Sequence, residues 1–238
     1  MRAFFAIILY IMVISFSNVE TCNASKIIGD IDWEHLENSK VYPKYDTYIE
    51  NGNQKYINLI LEYPLIYVPS EEVQKNINKD IAGYVYNFKN QYDNGMFYRG
   101  KMSYEKFYED TFRISIVLKE TWWNIGAAHS QYRFIGVVYD KLTGEKVSVR
   151  DYMPNISSQN LNLVVENGIA PLINEQGNKI NIQDGKTINR VSNDFVIVDM
   201  NTIALIYQPY ELAPFSDGII YLVLNEKTMD YINRLNKR

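Results

Sequence analysis

The chain has 238 residues, 47% of them hydrophobic and 22% charged. That size and balance suit one large or two small globular domains and exclude a disordered, collagenous or coiled-coil chain. Lys and Arg number 24 against 28 Asp and Glu, a net charge of −4. With no polybasic block, binding to nucleic-acid phosphates lacks its main driving force. Two His and one Cys leave little for metal or thiol chemistry, whereas tyrosine is abundant at 20 residues.

The N-terminus reads as an address. After Met1-Arg2, residues 3–16 are apolar. That run is short of the roughly 20 residues a membrane span needs and matches the roughly 7–15 of a secretory signal. Cys22 and Ala24 are small and two apart, so cleavage is expected after Ala24, and the only cysteine leaves with the signal. Glu20 argues against a lipid on Cys22. The expected product is exported to the cell envelope or beyond, without disulfides and without a stable membrane span.

Residues 55–67 read as a strand, with Pro64 marking an edge, a bulge or its end. Ser70 caps a helix whose stripe is Val73, Ile77, Ile81, Tyr84, Val85, Phe88 and Tyr92, ended by Asp93-Asn94-Gly95. A domain boundary is expected near residues 93–103, dividing a small α+β domain over 25–98 from a larger one over 99–238. Strands follow over 111–118 and 131–139, joined by Trp122 to His129, and a third over 145–149 after the turn at Asp140 to Gly144. A helix is predicted over 158–174, with Leu161, Val164, Val165, Ile169, Leu172 and Ile173 inward. Three strands come next, over 195–198, 202–207 and 218–224, and a closing helix over 225–238. Strands and helices are segregated, which predicts an α+β fold with antiparallel sheets.

Chemistry is sparse. His35 and His129 are far apart and have no Cys to join them, so no metal site and no cofactor is expected. Asp140, Asp151, Glu211 and Asp217 are the acids a carboxylate hydrolase would draw on. Acids near turns also cap backbone amides, and the two readings are separable by geometry. Residues 209–218 place two prolines around a short segment, which pre-shapes that loop. It offers Tyr210, Glu211, Pro214 and Phe215 as a contact surface, with Trp122, Trp123 and His129 as further members.

At these residues the sequence resembles a known family. Gly126-Ala127-Ala128-His129 resembles its Gly-Gly-Ala-His motif. Asp140-Lys141-Leu142-Thr143-Gly144-Glu145 resembles its Asp-x-x-Thr-Gly-Lys turn. Tyr210 to Gly218 resembles its Tyr-Glu-x-Ala-Pro-Tyr-x-x-Gly segment. This is the extracellular domain at the C-terminus of the anti-sigma factor RsiV, found also in some peptidoglycan deacetylases, usually with a smaller domain upstream. The match covers about residues 45–235. Ala127 and Glu145 depart from the pattern. The resemblance implies an α+β fold and, in RsiV, direct binding of lysozyme. Together with the export signal, the missing catalytic sets and the aromatic loop, it leads to the expectation of a non-enzymatic binding module with a lysozyme, another envelope protein or peptidoglycan as partner. It carries over neither the deacetylase module nor the sigma-binding segment, which are absent here. The alternatives are a carboxylate-dependent cell-wall hydrolase and a structural or accessory envelope domain.

Overall fold

The computed structural model describes residues 47–235. The expected signal over 1–24, with Cys22, and His35 lie outside that range. The first sheet is built from β1 (Tyr48–Lys55), β2 (Leu59–Tyr67), β3 (Arg99–Glu109), β4 (Arg113–Trp123) and β5 (Gln131–Asp140), in that spatial order. Its pairs are antiparallel except β2 with β3, which run parallel because helix α1 (Glu71–Asp93) lies between them in the chain. The second sheet comprises β6 (Leu172–Asn174), β7 (Lys179–Ile180), β8 (Phe195–Asp199), β9 (Thr202–Tyr207) and β10 (Ile220–Asn225), in the order β7-β6-β10-β9-β8. Three short helices complete it: α2 (Val149–Tyr152), α3 (Ser158–Glu166) and α4 (Glu226–Leu235). The fold is α+β, as the segregation of elements predicts. No helix among the described residues is long and apolar enough to cross a membrane.

The layers follow from alternation. Ile114, Ile116 and Leu118 of β4 face α1, where Ile77, Ile81, Val85 and Phe88 are buried against them. The opposite face of β4 and β5 gives Val117 and Phe134, which meet Val196, Ala204 and Ile206 of the second sheet. That sheet turns Phe195, Leu205, Leu222 and Leu224 outward, against Val149, Leu161, Val164, Met229 and Ile232 around α2, α3 and α4. The order of layers is therefore helix, sheet, sheet, helices.

The α1 stripe and its Ser70 cap stand as the spacing predicts: Ser70 accepts from the Val73 amide, and Asn94 ends the helix. Asn78 reaches from α1 to β2, accepting from the Ile66 amide at 2.8 Å and donating to the Ile66 carbonyl at 2.7 Å. It replaces the β3 ladder, which ends at Leu61–Met102. Pro64 points its missing donor to the same vacated side, so it sits in an inner strand without cost. Asn78→Ala leaves both Ile66 groups buried and unpaired, and urea unfolding is expected to show a loss of about 2–3 kcal/mol.

Four expectations are corrected. Residues 55–67 are not one strand: the chain turns at 56–58 between β1 and β2. The Trp122-Trp123 pair belongs to β4 rather than to the connection that follows it. Residues 145–149 make only a single bridge, Lys146 with Tyr139, before Ser148 and Asp151 form a capping box on α2. The helix predicted over 158–174 stops at Glu166. Gly168 takes a φ of +67° there, and Pro171 removes a donor and biases Ala170 away from helix. Leu172 and Ile173 therefore stand in β6 instead of on a helical stripe. The expected division at 98/99 falls where β3 begins, and β3 shares its sheet with β2.

Candidate functional site

Gln208 joins the two loops that carry the predicted residues. Its side chain accepts from the Phe134 amide at 3.0 Å and donates to the Phe134 carbonyl at 2.7 Å. This seats the β9–β10 connection on the free edge of β5, beside the β4–β5 hairpin end. A turn follows at once: the Glu211 amide donates to the Gln208 carbonyl at 3.1 Å, with Pro209 and Tyr210 at its centre. Tyr210 has a φ of +71° and is the only non-glycine with positive φ among the described residues. This is the pattern of a type II turn, whose third position normally takes glycine. A tyrosine there stores backbone strain of about 1–2 kcal/mol, which neighbouring contacts must offset.

Those contacts are present. Lys186 Nζ donates to the Tyr210 carbonyl. Arg190 grips both Glu211 oxygens at 2.6 and 2.8 Å, and Glu211 also accepts from the Gln208 amide. Leu212 and Ala213 are buried beneath, while Pro214 is exposed and opens a 3₁₀ turn over Phe215–Asp217.

Phe215 is the hub of a ring cluster. Its centroid lies 4.3 Å from His129, 5.4 Å from Tyr210 and 5.6 Å from Tyr132. Tyr132 in turn meets Phe134 at 6.0 Å. His129 Nδ1 lies 2.9 Å from the Ser130 carbonyl, which only accepts, so Nδ1 carries a proton. The Tyr132 hydroxyl donates to Glu175, which also accepts from the Ile219 amide. Burial and the Glu175 carboxylate push Tyr132 up to about 12, so it stays a donor. Gly218 leaves room for this pair: a Cβ there would lie 2.6 Å from Glu175 Oε2.

The structure thus brings His129, Tyr210, Glu211, Pro214 and Phe215 to one place and leaves the tryptophans out of the cluster. Trp122 turns to the α1 face against Phe97, and Trp123 stacks on Arg99. Tyr132, Glu175, Lys186, Arg190 and Gln208 belong to the site without having been read from the sequence. The four acids have local employment in three cases. Asp140 caps the Leu142 and Thr143 amides, Asp151 closes the box on Ser148, and Glu211 holds Arg190. Asp217 lies half-buried in the 3₁₀ turn. Among the described residues no group of three His, Cys, Asp or Glu is placed to hold a metal.

No protein-family model and no curated protein matches the sequence. Solved structures do match. A DUF3298 family protein from Pseudomonas aeruginosa PAO1 aligns with a TM-score of 0.52 at 10% identity, covering 78% of this chain and 93% of that one. A DUF3298 member from Bacteroides fragilis NCTC 9343 aligns with a TM-score of 0.50 at 10% identity, covering 78% and 91%. This chain has the DUF3298 fold. Identity at that level speaks to the fold alone, and DUF3298 is a domain of unknown function. The ring cluster is described from this chain's own residues.

Proposed function

We propose that the chain is an exported, non-enzymatic binding module of the bacterial envelope, RsiV-like in kind, that takes hold of a protein such as a lysozyme. The C-terminal domain of RsiV carries DUF3298, which joins the fold to the sequence resemblance. The observation that carries the reading is the exposed, strained Tyr210 packed on Phe215 beside His129. Aromatic rings on a stiff turn offer contact area at little entropic cost. The capping roles of Asp140 and Asp151 favour binding over carboxylate hydrolysis. A net charge of −4 favours a basic protein over an acidic glycan.

Calorimetric titration with lysozyme, and separately with peptidoglycan fragments, tests this. Binding is expected with lysozyme, weakened about tenfold or more by Phe215→Ala. Tyr210→Gly is expected to weaken binding yet raise stability, because glycine relieves the positive φ. Turnover of the fragments, or no binding to either, overturns the reading.

A further inference from the structure

One end of the first sheet gathers three turns: 56–58 between β1 and β2, 94–98 between α1 and β3, and 124–130 between β4 and β5. Register fixes this, because Leu59 pairs with Gly100, and Arg99 with Trp123. Each turn carries an aliphatic side chain into solvent. Ile57 is 96% exposed, Met96 65% and Ile125 88%. Folding does not explain three such residues at one end of one sheet, since each leaves most of its surface in water.

Aromatic and basic groups stand just beneath. Tyr56, Tyr98 and Trp123 flank a shallow groove of about 400 Å³ whose walls include Lys55, Arg99 and Lys101. Arg99 lies over the Trp123 ring at 5.3 Å and Lys89 over the Tyr56 ring at 4.9 Å. The acids nearby are already engaged: Asp93 holds Lys89 at 2.6 Å, and Glu62 lies 3.4 Å from Lys101. Lys55 and Arg99 have no carboxylate partner among the described residues. This end is therefore basic on a chain whose net charge is −4.

Apolar tips, a ring of aromatic side chains behind them and cations at the same level match the depth profile of a bilayer surface: acyl boundary, interface and anionic headgroups. We propose that this end of the first sheet docks on an anionic membrane surface, with Ile57, Met96 and Ile125 entering the acyl boundary and Lys55, Arg99 and Lys101 meeting headgroup phosphates. The charge complementarity singles out a lipid surface: a second copy would bring cation against cation. The inference goes beyond the partner-binding role and does not depend on Phe215.

Cosedimentation of residues 25–238, the product expected after signal cleavage, with vesicles of phosphatidylglycerol and phosphatidylcholine tests it against vesicles of phosphatidylcholine alone. Binding is expected to the anionic vesicles and to weaken as ionic strength rises. The double variant Ile57→Asp, Ile125→Asp changes two exposed side chains and is expected to bind about tenfold less or worse. Phe215→Ala should bind vesicles as the parent does. The product after signal cleavage has no other cysteine, so a fluorophore on Ile57→Cys should shift to the blue on binding, and one on Leu142→Cys, at the far end of the sheet, should not. No vesicle binding, or binding that the double variant retains, overturns the proposal. So does full competition by inorganic phosphate, which would mean a small-anion site. Self-association without vesicles that the double variant abolishes would assign the tips to a second copy and overturn it equally.

Discussion

Gly136→Val is expected to destabilise the protein by about 3 kcal/mol or more, read as a lower midpoint in chemical unfolding with an unchanged slope. The second sheet crosses the first where β8 passes β5. A Cβ on Gly136 would lie 2.4 Å from the Phe195 carbonyl oxygen and 2.7 Å from its amide nitrogen. Both are backbone atoms, so no rotamer change relieves the clash, and the sheets must part. Parting them loosens Val117 and Phe134 against Val196 and Ile206, and strains the bond from the Ile197 amide to the buried Ser115 hydroxyl at 3.0 Å. It also pulls Phe134 from Gln208, so the ring cluster should lose order along with the fold. Gly136→Ala places the same Cβ and is expected to show most of the loss. A valine variant with parental stability would mean that the sheets slide freely at this crossing.

Where one face of an element is buried, the sequence shows it. The α1 stripe, the alternation in β4 and β5, and the apolar runs of β8 to β10 all lie against a core on at least one side. β1 and β3 were missed because the burial that writes such patterns is weak there. β1 is an edge strand whose residues, Gly52 apart, are exposed or half-buried, and on β3 the side chains of Arg99, Lys101 and Glu105 are exposed. Its alternation of Lys101, Ser103, Glu105 and aromatic residues reads as a boundary when no partner is known. Pro171 carried the signal that ends α3, against which the recurrence of Leu172 and Ile173 at helical spacing was accidental.

The site was legible in part for a similar reason. The two prolines and the rings of residues 209–218 can be read from sequence, as can His129. Their meeting cannot, because it depends on Gln208 finding the edge of β5 at Phe134, 74 residues away. Tyr132 looked like one more strand residue until Phe215 lay across it. The tryptophans were grouped with the site through proximity in sequence to His129. The hairpin instead sends Trp122 to the helix face and Trp123 to the basic end.

Stability should peak on the acid side of neutrality, because two sets of carboxylates pull in opposite directions. Glu120 is 1% exposed, with Oε2 held by Arg133 at 2.5 Å and Oε1 without a hydrogen-bond partner among the described residues. Burial raises its pKa more than Arg133 lowers it, and Asp194 adds to the rise. Asp194 is raised as well, by burial first, against Arg190 and Arg133. The folded state therefore holds protons that the unfolded state has released, and stability falls as pH rises from about 4 through the folded values. Glu109 is the reverse case. Burial would raise it, but hydrogen bonds from Lys106 and Lys141 and the Lys141 charge bring it below its ordinary value. Its contribution is complete above about 4.3 and is lost as pH falls through the folded value. Two variants separate the effects in unfolding curves taken across pH. Glu120→Met frees the half-exposed Arg133 to reach water, so it should stabilise the protein by about 1–2 kcal/mol at pH 7 and flatten the decline toward neutrality. Glu109→Ala strands Lys141, whose side chain is 8% exposed and keeps only the Asp110 carbonyl at 2.7 Å. It should cost about 3 kcal/mol at pH 7 and remove the loss at the acid end. If Glu120→Met leaves the slope between pH 5 and 7 as it was, the decline belongs to Asp194, and Glu120 is ionised there in the folded state as in the unfolded one.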